Sequence, residues 1–114
     1  MSFHAGVAAE QAVARHYERL GFSILEQRWR GQSGEIDLIA QENAQFVFVE
    51  VKKSNRFSNA SGRIGPAQQQ RIFATATEFV THQPSGVLSE MRFDVALVNA
   101  HGEIQVIENA LHAD

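Results

Sequence analysis

The sequence contains no cysteine, and this absence excludes several classes of site. Without thiols the chain can form neither a disulfide scaffold nor a zinc site with cysteine ligands, and it has no cysteine nucleophile. The absence also fits a reducing compartment. Its 114 residues suffice for one hydrophobic core without covalent or metal support. We therefore expect a single domain over residues 1–114.

Long apolar runs are absent as well. No stretch approaches the roughly 18 consecutive apolar residues that cross a bilayer. The N-terminus shows no basic region followed by an apolar run, as a secretory signal would. With 44% hydrophobic and 20% charged residues, the composition is that of a globular protein rather than a disordered one. We expect a cytoplasmic protein with no membrane partner.

Acidic residues are missing from one segment. The net charge of −3 argues against a protein that coats nucleic acid non-specifically. Between Val51 and Thr77, however, there is no acid, and five basic residues fall there: Lys52, Lys53, Arg56, Arg63 and Arg71. Such a segment can hold phosphates near a metal, or it can be a solvated loop with scattered charge. Composition alone does not decide between the two.

The spacing of apolar residues predicts seven elements in the order αβββαββ, a mixed α/β layer fold. Helices are predicted over 5–20 and from Pro66 to a point before Pro84, and strands over 22–30, 34–40, 45–53, about 90–98 and about 103–107. A connection rich in serine, asparagine and glycine, Ser54 to Gly65, precedes the second helix. The strand over 45–53 carries apolar residues on both faces, which predicts a central strand covered on both sides.

The most informative segment, residues 34–52, reads GEIDLIAQENAQFVFVEVK. It places Asp37 in one predicted strand and Glu50 in the next, where an unpaired buried charge costs several kcal/mol. A hairpin that turns between Asn43 and Ala44 sets Asp37 opposite Glu50, so the two carboxylates repel each other. A bound cation would turn this repulsion into coordination.

Strand alternation extends this hypothesis to a site. It predicts Glu35 and Asp37 on one face with Ile36, Leu38 and Ala40 on the other, and it places Lys52 on the same face as Glu50. Carboxylates hold Mg²⁺ or a similar ion, and a nearby lysine can orient an attacking water or stabilise charge during phosphodiester hydrolysis. The alternative is a salt bridge from Lys52 to Asp37 or Glu50.

These residues carry a resemblance to a known family. GEIDLIA followed by FVFVEVK resembles the Asp…Glu-x-Lys signature of the PD-(D/E)XK nuclease superfamily. The whole chain is similar to the YraN family of small bacterial proteins, predicted endonucleases related to Holliday junction resolvases. The similarity extends over five short motifs: Gly6 to Glu10, Gly21-Phe22, Arg28 to Arg30, Arg92 to Val95 and Ile107 to Leu111.

The resemblance implies a restriction-endonuclease-like αβββαβ core and a metal-dependent endonuclease acting on DNA, including branched or structured DNA. It implies that Asp37 and Glu50 bind Mg²⁺ or Mn²⁺, that Lys52 is catalytic, and that Glu10 joins the site from the first helix. By helical pattern alone Glu10 is an ordinary surface residue. Glu35 matches the motif too, and we expect it either to be structural or to support the metal ligands without binding the metal itself. Junction resolution needs two active sites, so a homodimer is expected.

The expected substrate contacts are Lys53, Arg56, Gln69 and Arg71. Two departures from relatives affect these contacts: Lys53-Ser54 follows the catalytic lysine, and three glutamines replace a lysine near the second helix.

Two other functions remain open, a nucleic-acid-binding protein of the same fold without hydrolysis and an interaction module. Outside the site, we expect a structural hydrogen bond at Asp94, and we interpret Trp29 as a half-buried strand residue rather than a base-stacking one.

Overall fold

The computed structural model describes residues 3–53, 64–84 and 90–111. Seven elements follow in chain order: α1 (Phe3–Arg19), β1 (Ser23–Arg30), β2 (Glu35–Glu42), β3 (Gln45–Lys53), α2 (Pro66–Thr81), β4 (Glu90–Val98) and β5 (Ile104–Ile107). The predicted αβββαββ order is confirmed, and the ends of the elements lie close to the predicted ones. Neither helix has the length and apolar character needed to span a membrane.

The strands form one mixed sheet in the order β1-β2-β3-β4-β5. β3 and β4 are parallel, and the other neighbouring strands are antiparallel. A parallel pair needs a crossover, and α2 provides it. β3 is therefore the central strand that its apolar pattern predicted.

The two helices cover opposite faces of the sheet. On one face, Val13 of α1 belongs to a core cluster with Val47 and Val49 of β3. On the other, Phe79 of α2 packs against Phe48, with ring centroids 6.1 Å apart. Each large apolar side chain buried in this way contributes about 1.5–3 kcal/mol. The alternating valines and phenylalanines of β3 thus specify a three-layer arrangement.

Asp94 of β4 connects several elements through its buried carboxylate, which is 0% exposed. It accepts hydrogen bonds from the Tyr17 hydroxyl at 2.6 Å, from two Arg92 nitrogens at 3.0 Å each, and from the backbone N–H of Asn109 at 2.9 Å. Burial and the neighbouring Asp94 raise the pKa of Tyr17. The prediction of a structural hydrogen bond at Asp94 is confirmed.

The β2–β3 hairpin has the predicted register. Its pairs run from Glu42 opposite Gln45 to Leu38 opposite Val49, around a turn in which Asn43 has a φ of 56°. Asparagine tolerates this left-handed conformation better than most residues. Continued by one position, the same register places the next residue of β2, Asp37, opposite Glu50.

The predicted alternation along β2 is wrong at one residue. Leu38 and Ala40 pack on the α1 side, but Ile36 belongs to the cluster on the α2 side. The backbone is irregular at this point of the sheet, because Arg28 of β1, between the positions paired with Leu38 and Ile36, has a φ of 54°. This irregularity lies beside Asp37.

Candidate functional site

Two carboxylates lie next to each other where β2 and β3 cease to pair. Oδ2 of Asp37 accepts a hydrogen bond of 2.9 Å from the backbone N–H of Val51, the residue after Glu50. The backbone N–H of Asp37 in turn hydrogen-bonds to the Glu50 carboxylate. These reciprocal bonds fix both side chains relative to the two strands.

The electrostatics of the pair are unfavourable for two negative charges. Burial raises the pKa of Asp37 to about 6, and the charges of Glu10 and Glu35 act in the same direction. Burial raises the pKa of Glu50 to about 8, and the charge of Asp37 is the next largest cause. Perturbation by burial together with a like charge is typical of functional sites.

One oxygen of Glu50 has no hydrogen-bond partner in the part of the chain that the structure describes. Among the described residues, its Oε1 is buried without a hydrogen bond. The carboxylate otherwise accepts the backbone N–H of Asp37 and, at Oε2, a long hydrogen bond of 3.4 Å from Nε2 of Gln68. A buried oxygen in this state costs about 1–3 kcal/mol, more when charged. A hard cation between Asp37 and Glu50 would satisfy this oxygen and offset the repulsion, so the donor set fits Mg²⁺ or Mn²⁺.

Glu10 reaches this region from α1 and is buried, with 9% of its surface exposed. Its interpretation as a surface residue from the helical pattern is therefore wrong, because that face of α1 packs against the sheet. Its Oε1 accepts a hydrogen bond of 2.6 Å from Nε of Arg28. With Glu10 held in this way, no three acidic or histidine side chains of the described residues converge closely enough to bind a metal together.

The two lysines at the end of β3 have different surroundings. Lys52 is half-buried and, by strand alternation, shares the face of Glu50. Lys53 is exposed and lines a groove of about 300 Å³ with Ala8 and Ala12 of α1. Alternation along β3 therefore puts Lys52 on the same face as Glu50, and the groove puts Lys53 on the α1 side of the sheet.

The two expected substrate contacts on α2 have different surroundings. Gln69 donates its side-chain amide to the carbonyl oxygen of Ile64 at 2.7 Å, so this group stabilises the start of α2. Arg71 is exposed on the same helix, and Arg56 lies outside the described residues. Gln68, one of the three glutamines that replace a lysine near the start of this helix, is the one that contacts Glu50.

Glu35 makes an exposed ion pair with Arg30, 3.3 Å long, and its charge also acts on Asp37 and Glu50. The turn before Glu35 is attached to α2 by another residue that the sequence did not single out. The Glu78 carboxylate accepts the backbone N–H groups of Gln32 and Ser33 at 2.8 and 2.7 Å. Hydrogen bonds from this turn lower the pKa of Glu78, with the Ser33 side chain the largest cause.

Glu78→Gln should loosen this turn, because an amide oxygen accepts the two N–H groups more weakly than a carboxylate does. We expect the backbone amides of Gln32 and Ser33 to exchange with solvent about tenfold faster, while amides in the centre of β3 keep their rates. Amide exchange followed by NMR measures both. Equal acceleration in β3 would indicate global destabilisation instead.

The sequence profile of the uncharacterised protein family UPF0102 matches residues 9–98. The chain therefore belongs to this family, and the expected membership among small YraN-like bacterial proteins is confirmed. The match spans Glu10, Asp37, Glu50 and Lys52.

Curated relatives are similar over nearly the whole chain. A UPF0102 protein of Roseobacter denitrificans is 56% identical over 97% of this chain and 86% of its own length. One from Cereibacter sphaeroides is 51% identical over 99% of this chain and 97% of its own. A third, from Dinoroseobacter shibae, is 43% identical over 92% and 78%.

Proposed function

We propose that this UPF0102 protein is a metal-dependent endonuclease that hydrolyses phosphodiester bonds of DNA, including branched or structured DNA. The observation that carries the proposal is the Asp37–Glu50 pair, two adjacent carboxylates whose raised pKa values and unpartnered Glu50 oxygen favour a bound cation. The resemblance to the PD-(D/E)XK signature supports the same function.

In this proposal Asp37 and Glu50 hold Mg²⁺ or Mn²⁺, with Glu10 as a further ligand. Bound there, such an ion would supply Lewis-acid chemistry, the activation of a water and the neutralisation of charge that develops on the phosphate. The hydrogen bond from Val51 keeps Asp37 in place before substrate arrives. Such preorganisation lowers the cost of assembling the site during the reaction.

Lys52 completes the proposed machinery. Its position two residues after Glu50, on the same face of β3, allows the ammonium group to orient the attacking water or to stabilise the negative charge of the transition state. Lys53, Arg56, Gln69 and Arg71 are proposed to contact the nucleic acid, and the absence of acids between Val51 and Thr77 favours phosphate binding there.

The test is cleavage of linear, flapped and four-way DNA at high enzyme concentration with Mg²⁺, with Mn²⁺ or with EDTA. We expect cleavage that requires the metal. Glu90→Gln, an exposed glutamate at the start of β4, serves as the control and should cleave like the wild type. Binding without cleavage in either metal would instead indicate a nucleic-acid-binding protein without hydrolytic activity.

Resolution of a four-way junction needs two cuts, so we also propose that the active form is a homodimer. Light scattering of the full chain, with and without DNA, measures this independently of cleavage. A monomer that cuts only linear or flapped DNA would retain the nuclease function and exclude junction resolution.

A further inference from the structure

Arg28 interacts with three acids, Glu10, Glu35 and Asp37, and the proposed mechanism assigns it no role. It is the residue of β1 between those paired with Leu38 and Ile36, which places it opposite Asp37. Its guanidinium nevertheless bonds to Glu10 of α1, with Nε and Oε1 2.6 Å apart. The charges of Glu35 and Asp37 also act on it. The Arg28 guanidinium thus neutralises Glu10, a carboxylate that the proposed metal site would need as a ligand.

The backbone of Arg28 is strained at the position of this contact. Arg28 has a φ of 54°, a left-handed conformation that costs a non-glycine residue about 1 kcal/mol or more. The strand is therefore held in an unfavourable conformation at the residue that meets Glu10. The Glu10 side chain is 11% exposed and that of Arg28 34%, so the pair is shielded from solvent on the Glu10 side.

The ion pair between Glu10 and Arg28 also bears on metal coordination. While Glu10 is bonded to Arg28, the described residues contain no group of three acids able to hold a metal. Asp37 and Glu50 already lie side by side, whereas one carboxylate oxygen of Glu10 is engaged by Arg28. A cation that takes this oxygen would have to displace the guanidinium.

We propose that Arg28 is a positioning residue that competes with the divalent cation for the Glu10 carboxylate, so that Glu10 completes the site only when the metal displaces the guanidinium. This inference rests on the metal site of the proposed function, but it does not depend on cleavage. It makes metal affinity the quantity that Arg28 controls.

Calorimetric titration of the full chain with MnCl₂ at about 0.15 M salt tests the competition. Arg28→Met should bind Mn²⁺ about threefold to fivefold more tightly than the wild type, the factor expected for loss of a partly exposed ion pair. In a Glu10→Gln background the same substitution should change affinity little. An equal gain in both backgrounds would reflect only the removal of a positive charge, and it would overturn the proposal, as would weaker or absent Mn²⁺ binding in Arg28→Met.

A spectroscopic measurement on the wild type does not depend on the folding of a variant. The ¹⁵N signal of the Arg28 Nε–H group should shift as Mg²⁺ saturates the backbone signals of Asp37. If those signals saturate while the Arg28 signal stays in place, the guanidinium has not moved and the proposal fails. Should Arg28→Met not fold, Arg28→Asn is the alternative, since asparagine adopts left-handed backbone readily.

The two proposals fail separately. Coupling between Arg28 and Mn²⁺ in a protein that cleaves no DNA would leave the competition standing and remove the nuclease function. Metal-dependent cleavage without that coupling would do the reverse.

Discussion

Glu50→Gln is expected to lower DNA cleavage about 10³-fold and, in metal-free buffer at pH 8, to raise the free energy of unfolding by about 2 kcal/mol. The first effect follows from loss of a proposed metal ligand. The second follows from burial and from the charge of Asp37, which raise the pKa of Glu50 to about 8. Lower activity together with higher stability in the variant is the result expected for a residue that serves function at a cost in stability.

The sign of the pH dependence follows from proton linkage. Glu50 has an ordinary pKa of 4.5, so as pH rises from about 4.5 toward 8 the folded state binds more protons at Glu50 than the unfolded state does. Its contribution therefore lowers stability progressively over that window. Below the window Glu50 is protonated in both states, and glutamine, a neutral side chain of similar shape, should change little.

Thermal unfolding in EDTA at pH 5 and pH 8 measures this difference. Glu50→Gln should melt about 8 °C above the wild type at pH 8 and close to it at pH 5. Added Mg²⁺ should stabilise the wild type at pH 8 and have less effect on the variant. The control Glu90→Gln should follow the wild type at both pH values. A variant that is less stable than the wild type at pH 8 would show that Glu50 is a structural residue.

Asp94→Ala is expected to cost about 3–5 kcal/mol of folding free energy, because removal of one partner from a buried ionic network leaves the others unsatisfied. The Tyr17 hydroxyl and the Arg92 guanidinium would each lose an acceptor within the protein. Against a typical total of about 5–15 kcal/mol, this loss removes a large share of the stability.

Urea unfolding quantifies this loss, with Glu26→Ala on the exposed surface of β1 as a control that should stay within about 0.5 kcal/mol of the wild type. Tyr17→Phe should cost less in the Asp94→Ala background than in the wild type, since the hydroxyl has already lost its acceptor there. Additive costs would mean that Tyr17 and Asp94 do not interact energetically, contrary to the 2.6 Å contact.

Much of the fold could be predicted because local patterns determine it. The alternation of valine and phenylalanine along β3 indicated a strand buried on both faces, and the apolar spacing of α1 and α2 indicated two packed helices. Regular alternation failed at Ile36, beside the position where Arg28 of β1 has a left-handed backbone, because the pattern of one strand does not reveal the conformation of its neighbour.

For the site, the local sequence is enough to place Asp37 beside Glu50. A two-residue turn at Asn43 and Ala44 sets the register of the hairpin, and strand periodicity then carries that register to the carboxylates. This relation is local and needs no other part of the chain. Lys52 follows from the same periodicity.

The pairing of Glu10 with Arg28, in contrast, depends on how distant parts of the chain pack together. Their contact joins α1 to β1 across 18 residues, and that of Glu78 with Gln32 joins α2 to a turn across 46. Such contacts depend on how each helix lies on the sheet, which no spacing along the sequence encodes. The packing of α1 buries Glu10 next to a guanidinium, and it thereby turns a residue that reads as surface into one that governs the proposed metal site.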